Sequence, residues 1–216
     1  NLGYRLEVGV SLPIILMKMR GALMIILATS SERRIKLFSL LGLPFQVISP
    51  QIEETPSQCN PERIVLELSH KKADAVYTKY PYETIISADT VVWFDGKIMG
   101  KPKDENEAWK MLNKLSGNWH KVFTGVHIKI DGEEVSFCEV TEVKFRQLTD
   151  FEIDYYVSTK DPLDKAGAYG IQGFAGVFVE KIIGDYTNIV GLPLPRLWKL
   201  LLDRGIVGKY ADRERS

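Results

Sequence analysis

The sequence predicts an α/β fold around a single sheet, on three observations. Strand-like and helix-like segments are interspersed along the whole chain, as expected for helices layered on a sheet. Residues 24–49 run strand, loop, helix, strand. Two long alternating segments, 119–130 and 134–148, flank Asp131-Gly132, and Asp-Gly is a favoured two-residue hairpin turn.

Taken in order, residues 24–29 (MIILAT) form a short, wholly apolar strand. Ser30-Ser31-Glu32-Arg33-Arg34 leads into a helix with Ile35, Leu37, Phe38, Leu40 and Leu41 as its apolar side. Ser30 or Ser31 suits its N-cap, and Gly42 its stop. Residues 45–49 are a second strand. A polar connection at 50–60 precedes a helix over 61–79, whose stripe is Ile64, Val65, Leu68, Ala75 and Val76, with Lys71 and Lys72 near its rim. Strand 85–94 turns at Asp95-Gly96 into 97–99, and Asp104 caps a helix that stops at Ser116-Gly117. After the long hairpin, Thr149-Asp150 caps a short helix to about residue 157. The Gly- and Ala-rich segment 164–176 reads as a packed loop on which backbone N–H groups approach a ligand. A strand over 176–183 and an amphipathic helix over 193–202 close the fold.

With 216 residues, 45% hydrophobic and 26% charged, the chain is long and apolar enough for a real core, which excludes disorder. The 28 basic and 28 acidic residues leave no net charge to attract a nucleic acid polymer or an anionic membrane, so an anionic partner needs a local cluster. Cys59 and Cys138 are read as free thiols of a reducing compartment, and neither they nor His70, His120 and His127 stand in metal-ligand spacing. The apolar segments at 8–17 and 21–28 are too short to span a bilayer. Met24 is read as a native start, with 1–23 an extension or mis-called start, 24–208 the domain and 209–216 a polar tail.

The chemistry is signalled by Ile85-Ile86-Ser87-Ala88-Asp89-Thr90-Val91-Val92, an apolar, β-branched run broken by one carboxylate. Asp is a poor strand former and is costly to bury without a cation, metal or hydrogen bonds. At this level Asp89 is either a turn residue at a strand end or a held carboxylate with a task. The start of the first helix is the second signal, since free N–H groups and the helix dipole favour an anion there. Arg33 and Arg34 in that turn oppose the dipole, a cost an anion relieves.

Five segments in order resemble the Maf family of nucleoside triphosphate pyrophosphatases, once discussed as septum-formation inhibitors. They are Ser30-Ser31-Glu32-Arg33-Arg34, Ile52-Glu53-Glu54, Ser87-Ala88-Asp89-Thr90, Gly100-Lys101-Pro102 and the KAGAYGIQG run over 165–173. The resemblance runs from about residue 24 to 202. It implies a single Maf/ITPase-like domain with an elongated mixed sheet, two lobes and a central cleft. It further implies hydrolysis between the α and β phosphates with a divalent cation, Mg²⁺ or Mn²⁺, and a house-cleaning role in the cytoplasm with a link to cell-division arrest. The implied base is Asp89. Ser30, Arg33 and Arg34 fall on the phosphate loop, and Glu54, Lys72 and Lys101 on its further charged positions. Arg33, Thr90 and Gln172 occupy the positions that divide the family by substrate. That combination resembles the dTTP- and UTP-directed branch, whereas the 7-methyl-GTP branch carries Trp, Gln and Glu. The family's usual Pro in the phosphate loop is here Glu32, an acid that still suits a helix start.

On these residues a triphosphate is held and its leaving charge stabilised by arginine forks and lysine point charges. Glu54 and Asp89 are the candidate metal carboxylates. Asp89 is equally a candidate base for the attacking water, and the sequence leaves the two roles open. A homodimer through the long hairpin is a further expectation. Two rival functions stay open: a non-catalytic nucleotide-binding regulator of septum formation, and a pyrophosphatase for modified purine triphosphates.

Overall fold

The computed structural model describes residues 24–53 and 60–211, with side chains to residue 208. Residues 1–23, Glu54, Cys59 and 212–216 lie outside this description. Seven strands are present: β1 (Ile25–Ala28), β2 (Phe45–Ile48), β3 (Thr84–Phe94), β4 (Lys97–Met99), β5 (Trp119–Ile130), β6 (Glu133–Phe145) and β7 (Val179–Ile183). The α-helices are α1 (Glu32–Ser39), α2 (Pro61–Tyr77), α3 (Glu105–Leu115), α4 (Asp150–Ser158), α5 (Tyr186–Val190), α6 (Leu194–Asp203) and α7 (Ile206–Ala211). Short 3₁₀ turns at Asp161–Asp164, Ala166–Ala168 and Phe174–Phe178 organise the Gly-rich segment.

The expected caps form where side-chain oxygens can meet orphan N–H groups. Ser31 caps α1, and Asp104 and Thr149 cap α3 and α4, the last with Glu152 completing a capping box, while Asn60, read only as the end of the polar connection, caps α2. Both Asp-Gly turns adopt the left-handed pair that a tight hairpin demands, with φ of 48° and 73° at Asp95-Gly96 and 48° and 80° at Asp131-Gly132.

The sheet is mixed, in the order β2-β1-β3-β5-β6-β7, with β4 on β3. β1 pairs parallel with β2 and β3, and the remaining pairs are antiparallel. The eleven-residue β3 is the spine. One of its edges is paired to β5 from Ile85 to Trp93. The other is paired to β1 only as far as Ser87 and to β4 only from Val92. From Ala88 to Val91 that edge has no strand beside it among the described residues, and there the sheet parts into two lobes.

Each lobe has its own core. Because β1 is covered on both faces, all four of its residues are buried, as in parallel sheets generally. Ile25 and Leu27 pack with Leu37, Phe38 and Leu197, while Ile26 and Ala28 pack with Ala73 and Val76 of α2. The second lobe closes around Leu112, Leu115, Phe145, Tyr156 and Phe178. Helix α2 approaches the sheet closely: a Cβ on Gly125 of β5 would lie 2.5 Å from the Val65 backbone, so only glycine fits there.

Three expectations change. Strand β3 runs straight through Asp89, so the turn reading of that residue is wrong. Lys72 is buried rather than at the rim of α2, and Ala73 rather than Ala75 faces the core. Residues 186–190 form α5, capped by Asp185, which the sequence did not predict because five residues are too few to show a helical period.

Buried histidine gives this fold a pH signature. His120 packs edge-on to Phe145 and shares a 2.8 Å hydrogen bond with the Tyr169 hydroxyl, and burial pushes its pKa from 6.5 down to about 3. The folded state thus disfavours the proton that the unfolded chain accepts, so stability present above about pH 6.5 is lost as pH falls towards 3. Between pH 7 and 5 the wild type should lose about 2 kcal/mol more than His120→Gln, measured by urea unfolding. Equal losses in the two proteins would contradict the assignment.

Candidate active site

A cleft of about 950 Å³ opens at the unpaired edge of β3. Ser30, Arg33, Arg34, Lys72, Asp89, Thr90, Lys101 and Gln172 all line it, so every described residue that the sequence singled out meets in one place. Glu54 lies outside the described residues.

The pleat of β3 sends Asp89 and Thr90 to opposite faces of the sheet, and the open edge lets both reach the same cleft. On one face Asp89, 8% exposed, receives a 2.6 Å hydrogen bond from Lys72 Nζ on Oδ1. Helix α2 is held in the register this requires by Gly125 and by the Ser87 hydroxyl, which donates to the Ser69 carbonyl at 2.6 Å. On the other face Thr90 Oγ1 lies 2.9 Å from Thr124 Oγ1 and accepts from Arg34 at 3.4 Å. Arg34 also donates to the Gly191 carbonyl at 2.8 Å and to Thr29 Oγ1 at 3.1 Å. Its guanidinium therefore braces the turn between β1 and α1 against the segment after α5. Arg33, only half-buried, stands at the mouth.

Ser31 caps α1 by accepting the Arg34 N–H on its Oγ, and its own backbone N–H donates to Thr29 Oγ1 at 3.1 Å. This directs the first turn of α1 at the end of β1, beside Asp89. On the far wall the exposed Lys101 follows β4, and Gln172 projects from the Gly-rich segment.

Residue types alone did not flag Lys165, Asp161 and Asp164. Lys165 Nζ donates to the Asp161 carbonyl at 2.6 Å, to Asp161 Oδ1 at 2.8 Å and to Asp164 Oδ1 at 2.7 Å. A Cβ on Gly170 would sit 2.6 Å from the Lys165 chain, so glycine gives that lysine its passage. Burial alone would raise the pKa of Asp161, but hydrogen bonds from Lys165 and Tyr156 outweigh it and hold the carboxyl below its ordinary value. The spacing of Asp161, Asp164 and Lys165 at i, i+3 and i+4, next to the Gly-rich run, was the available signal.

Among the described residues, six basic side chains (Arg33, Arg34, Lys36, Lys72, Lys101, Lys165) and four acidic ones (Glu32, Asp89, Asp161, Asp164) line the cleft. A chain with no net charge has thus gathered a positive surplus at one spot, the local cluster that an anionic partner requires. Fold and site together define an α/β protein with an anion-receiving cleft around a buried carboxylate.

The chain belongs to the Maf-like protein family, whose model matches residues 24–204. It is 50% identical over 183 residues to a protein of Thermosipho melanesiensis named dTTP/UTP pyrophosphatase, covering 85% of this chain and 99% of that one. A Bacillus cereus protein of the same name is 48% identical over 174 residues, covering 80% and 91%. Among solved structures, the Staphylococcus aureus Ham1 protein aligns with a TM-score of 0.43 at 18% identity, over 56% of this chain and 71% of that one.

The Lys72–Asp89 pair makes a stability prediction. Removing one partner of a buried ion pair strands the other charge, at a cost of about 3–5 kcal/mol. Because the cleft admits water, Lys72→Met should cost about 3 kcal/mol in chemical unfolding, and adding Asp89→Asn should return part of it. A single mutant as stable as the wild type would show that the pair is not held as described.

Proposed function

We propose that this chain hydrolyses dTTP and UTP between the α and β phosphates, releasing the monophosphate and pyrophosphate. The observation that carries the reading is the convergence of Arg33, Lys72, Asp89, Thr90, Lys101 and Gln172 on one cleft, in a chain about half identical to proteins named for that activity.

In this reading the half-exposed Arg33 and the first-turn N–H groups of α1 grip the phosphate chain, and Lys101 meets the leaving pyrophosphate across the cleft. Arg34 fixes Thr90 and the phosphate loop through side-chain hydrogen bonds to Thr29, Thr90 and Gly191. Lys72 holds one oxygen of Asp89 and orients the carboxylate. The other oxygen is left to take a proton from the attacking water. Gln172, with an amide donor and acceptor, reads the pyrimidine edge alongside Thr90.

The donor set also suits a divalent cation. Mg²⁺ and Mn²⁺ take hard oxygens from one or two carboxylates plus phosphates and waters, and Asp89 is the buried carboxylate on the cleft wall. When bound, the cation supplies neutralisation of phosphate charge. Glu54 belongs to this reading as a second carboxylate. Residues 24–208 are taken as the unit that carries the activity. The house-cleaning role, the link to division arrest, the cytoplasmic setting and a homodimer rest on the family resemblance alone. No helix among the described residues is long and apolar enough to cross a membrane.

The test is a panel of canonical and modified triphosphates with Mg²⁺ or Mn²⁺, scored by pyrophosphate release. Release is expected from dTTP and UTP well above the purines, with Gln172→Glu eroding that preference. Equal turnover of purine substrates, untouched by Gln172→Glu, would favour the purine reading. No release from any triphosphate would leave a binding protein.

A further inference from the structure

The face of the sheet that α2 covers carries a second cluster, outside the residues that line the cleft. His127 of β5 pairs with Ser87, two residues before Asp89, and is 2% exposed. Its Nδ1 lies 2.8 Å from Ser136 Oγ, while its buried Nε2 has no hydrogen-bond partner among the described residues. That nitrogen faces Glu134 Oε2, at the start of β6, across 3.6 Å. From α2, His70 places its own Nε2 3.4 Å from the same oxygen, with its Nδ1 3.4 Å from Asp74 Oδ2.

These separations are too long for imidazole–carboxylate hydrogen bonds, which close to about 2.7–2.9 Å when charge-assisted. They match something else. Ligands bound at about 2.0–2.1 Å in a tetrahedron stand about 3.3–3.4 Å from one another. All three ligand atoms lie within 4.8 Å of one another. The surroundings fit the same picture. The other nitrogen of His127 is hydrogen-bonded to Ser136 Oγ, as in ligating histidines generally, and that of His70 faces Asp74 Oδ2 at 3.4 Å. Lys129 Nζ bridges Glu134 Oε1 and Asp74 Oδ1, both at 2.5 Å, which fixes the two acids and leaves Oε2 as the oxygen facing the histidines. His70 and Glu134 are half-exposed, which gives an entry path and a fourth position for water.

We propose that His70, His127 and Glu134 form a site for a borderline transition-metal cation of the Zn²⁺ class, clamping α2 to the β5–β6 hairpin. Two imidazoles and one carboxylate select such an ion over Mg²⁺, which prefers oxygen alone. The clamp is separate from the substrate cation of the cleft. It acts on the helix that carries Lys72.

The test uses the full chain, stripped with chelator and free of nucleotide, in equilibrium dialysis against Zn²⁺ with bound metal counted by mass spectrometry. The wild type should retain one zinc more than His70→Ala and Glu134→Gln, both surface-accessible changes. Zn²⁺ should raise the Tm of the wild type but of neither variant. Asp74→Asn should bind about 10–100-fold more weakly. Three results would overturn the site: no zinc retained by the wild type, equal zinc in all proteins, or zinc lost with Asp89→Asn yet kept by His70→Ala.

Discussion

A lysine and an aspartate buried against each other at 2.6 Å hold this structure to its task. Two such charges leave water only at a cost, and their mutual attraction offsets it only in good geometry. Good geometry here means that α2 must lie close to the sheet. Gly125 permits the approach, and Ser87 bonding to Ser69 sets the register. Much of the arrangement on that face follows from keeping Lys72 and Asp89 in contact while one side of the pair stays open to the cleft.

The opening itself is a consequence of topology. On that edge of β3 the pairing with β1 ends at Ser87 and the pairing with β4 begins at Val92, so four residues in the middle of the strand lack a strand partner there among the described residues. An unpaired edge is ordinarily a liability. Here it is lined by the start of α1, by the lysine after β4 and by the Gly-rich segment, which turn a row of exposed backbone into a walled cleft. It also explains how neighbours that point to opposite faces, Asp89 and Thr90, serve one site. The first is tied to α2, and the second to Arg34 and the segment after α5.

Much of this was legible in the sequence, because the signals were local. The two Asp-Gly hairpins, the caps of α1, α3 and α4, and the interrupted run around Asp89 each depend on residues a few positions apart. What was hidden depends on residues far apart. Lys72 stands four residues after Leu68 and four before Val76, on the apolar face, but its charge argues for the rim, and only a buried carboxylate on the neighbouring strand lets it stay inside. The bonds of Arg34 to Thr90 and Gly191 likewise join residues that are distant in the chain. His70, His127 and Glu134 have no ligand spacing in the chain, and strand register brings them together. The short α5, with its buried Asn188 bonded to the Val122 carbonyl and Thr141, had too few residues to show a period.

Asp89 as the group that activates water is the central claim, and one comparison addresses it directly. Single-turnover hydrolysis of dTTP by Asp89→Asn, set beside calorimetric binding of a non-hydrolysable dTTP analogue, separates chemistry from recognition. Hydrolysis should fall by about 100-fold or more, the scale of general base catalysis, while the phosphate grip of Arg33 and Lys101 keeps the analogue bound. Wild-type hydrolysis by that variant would contradict the account.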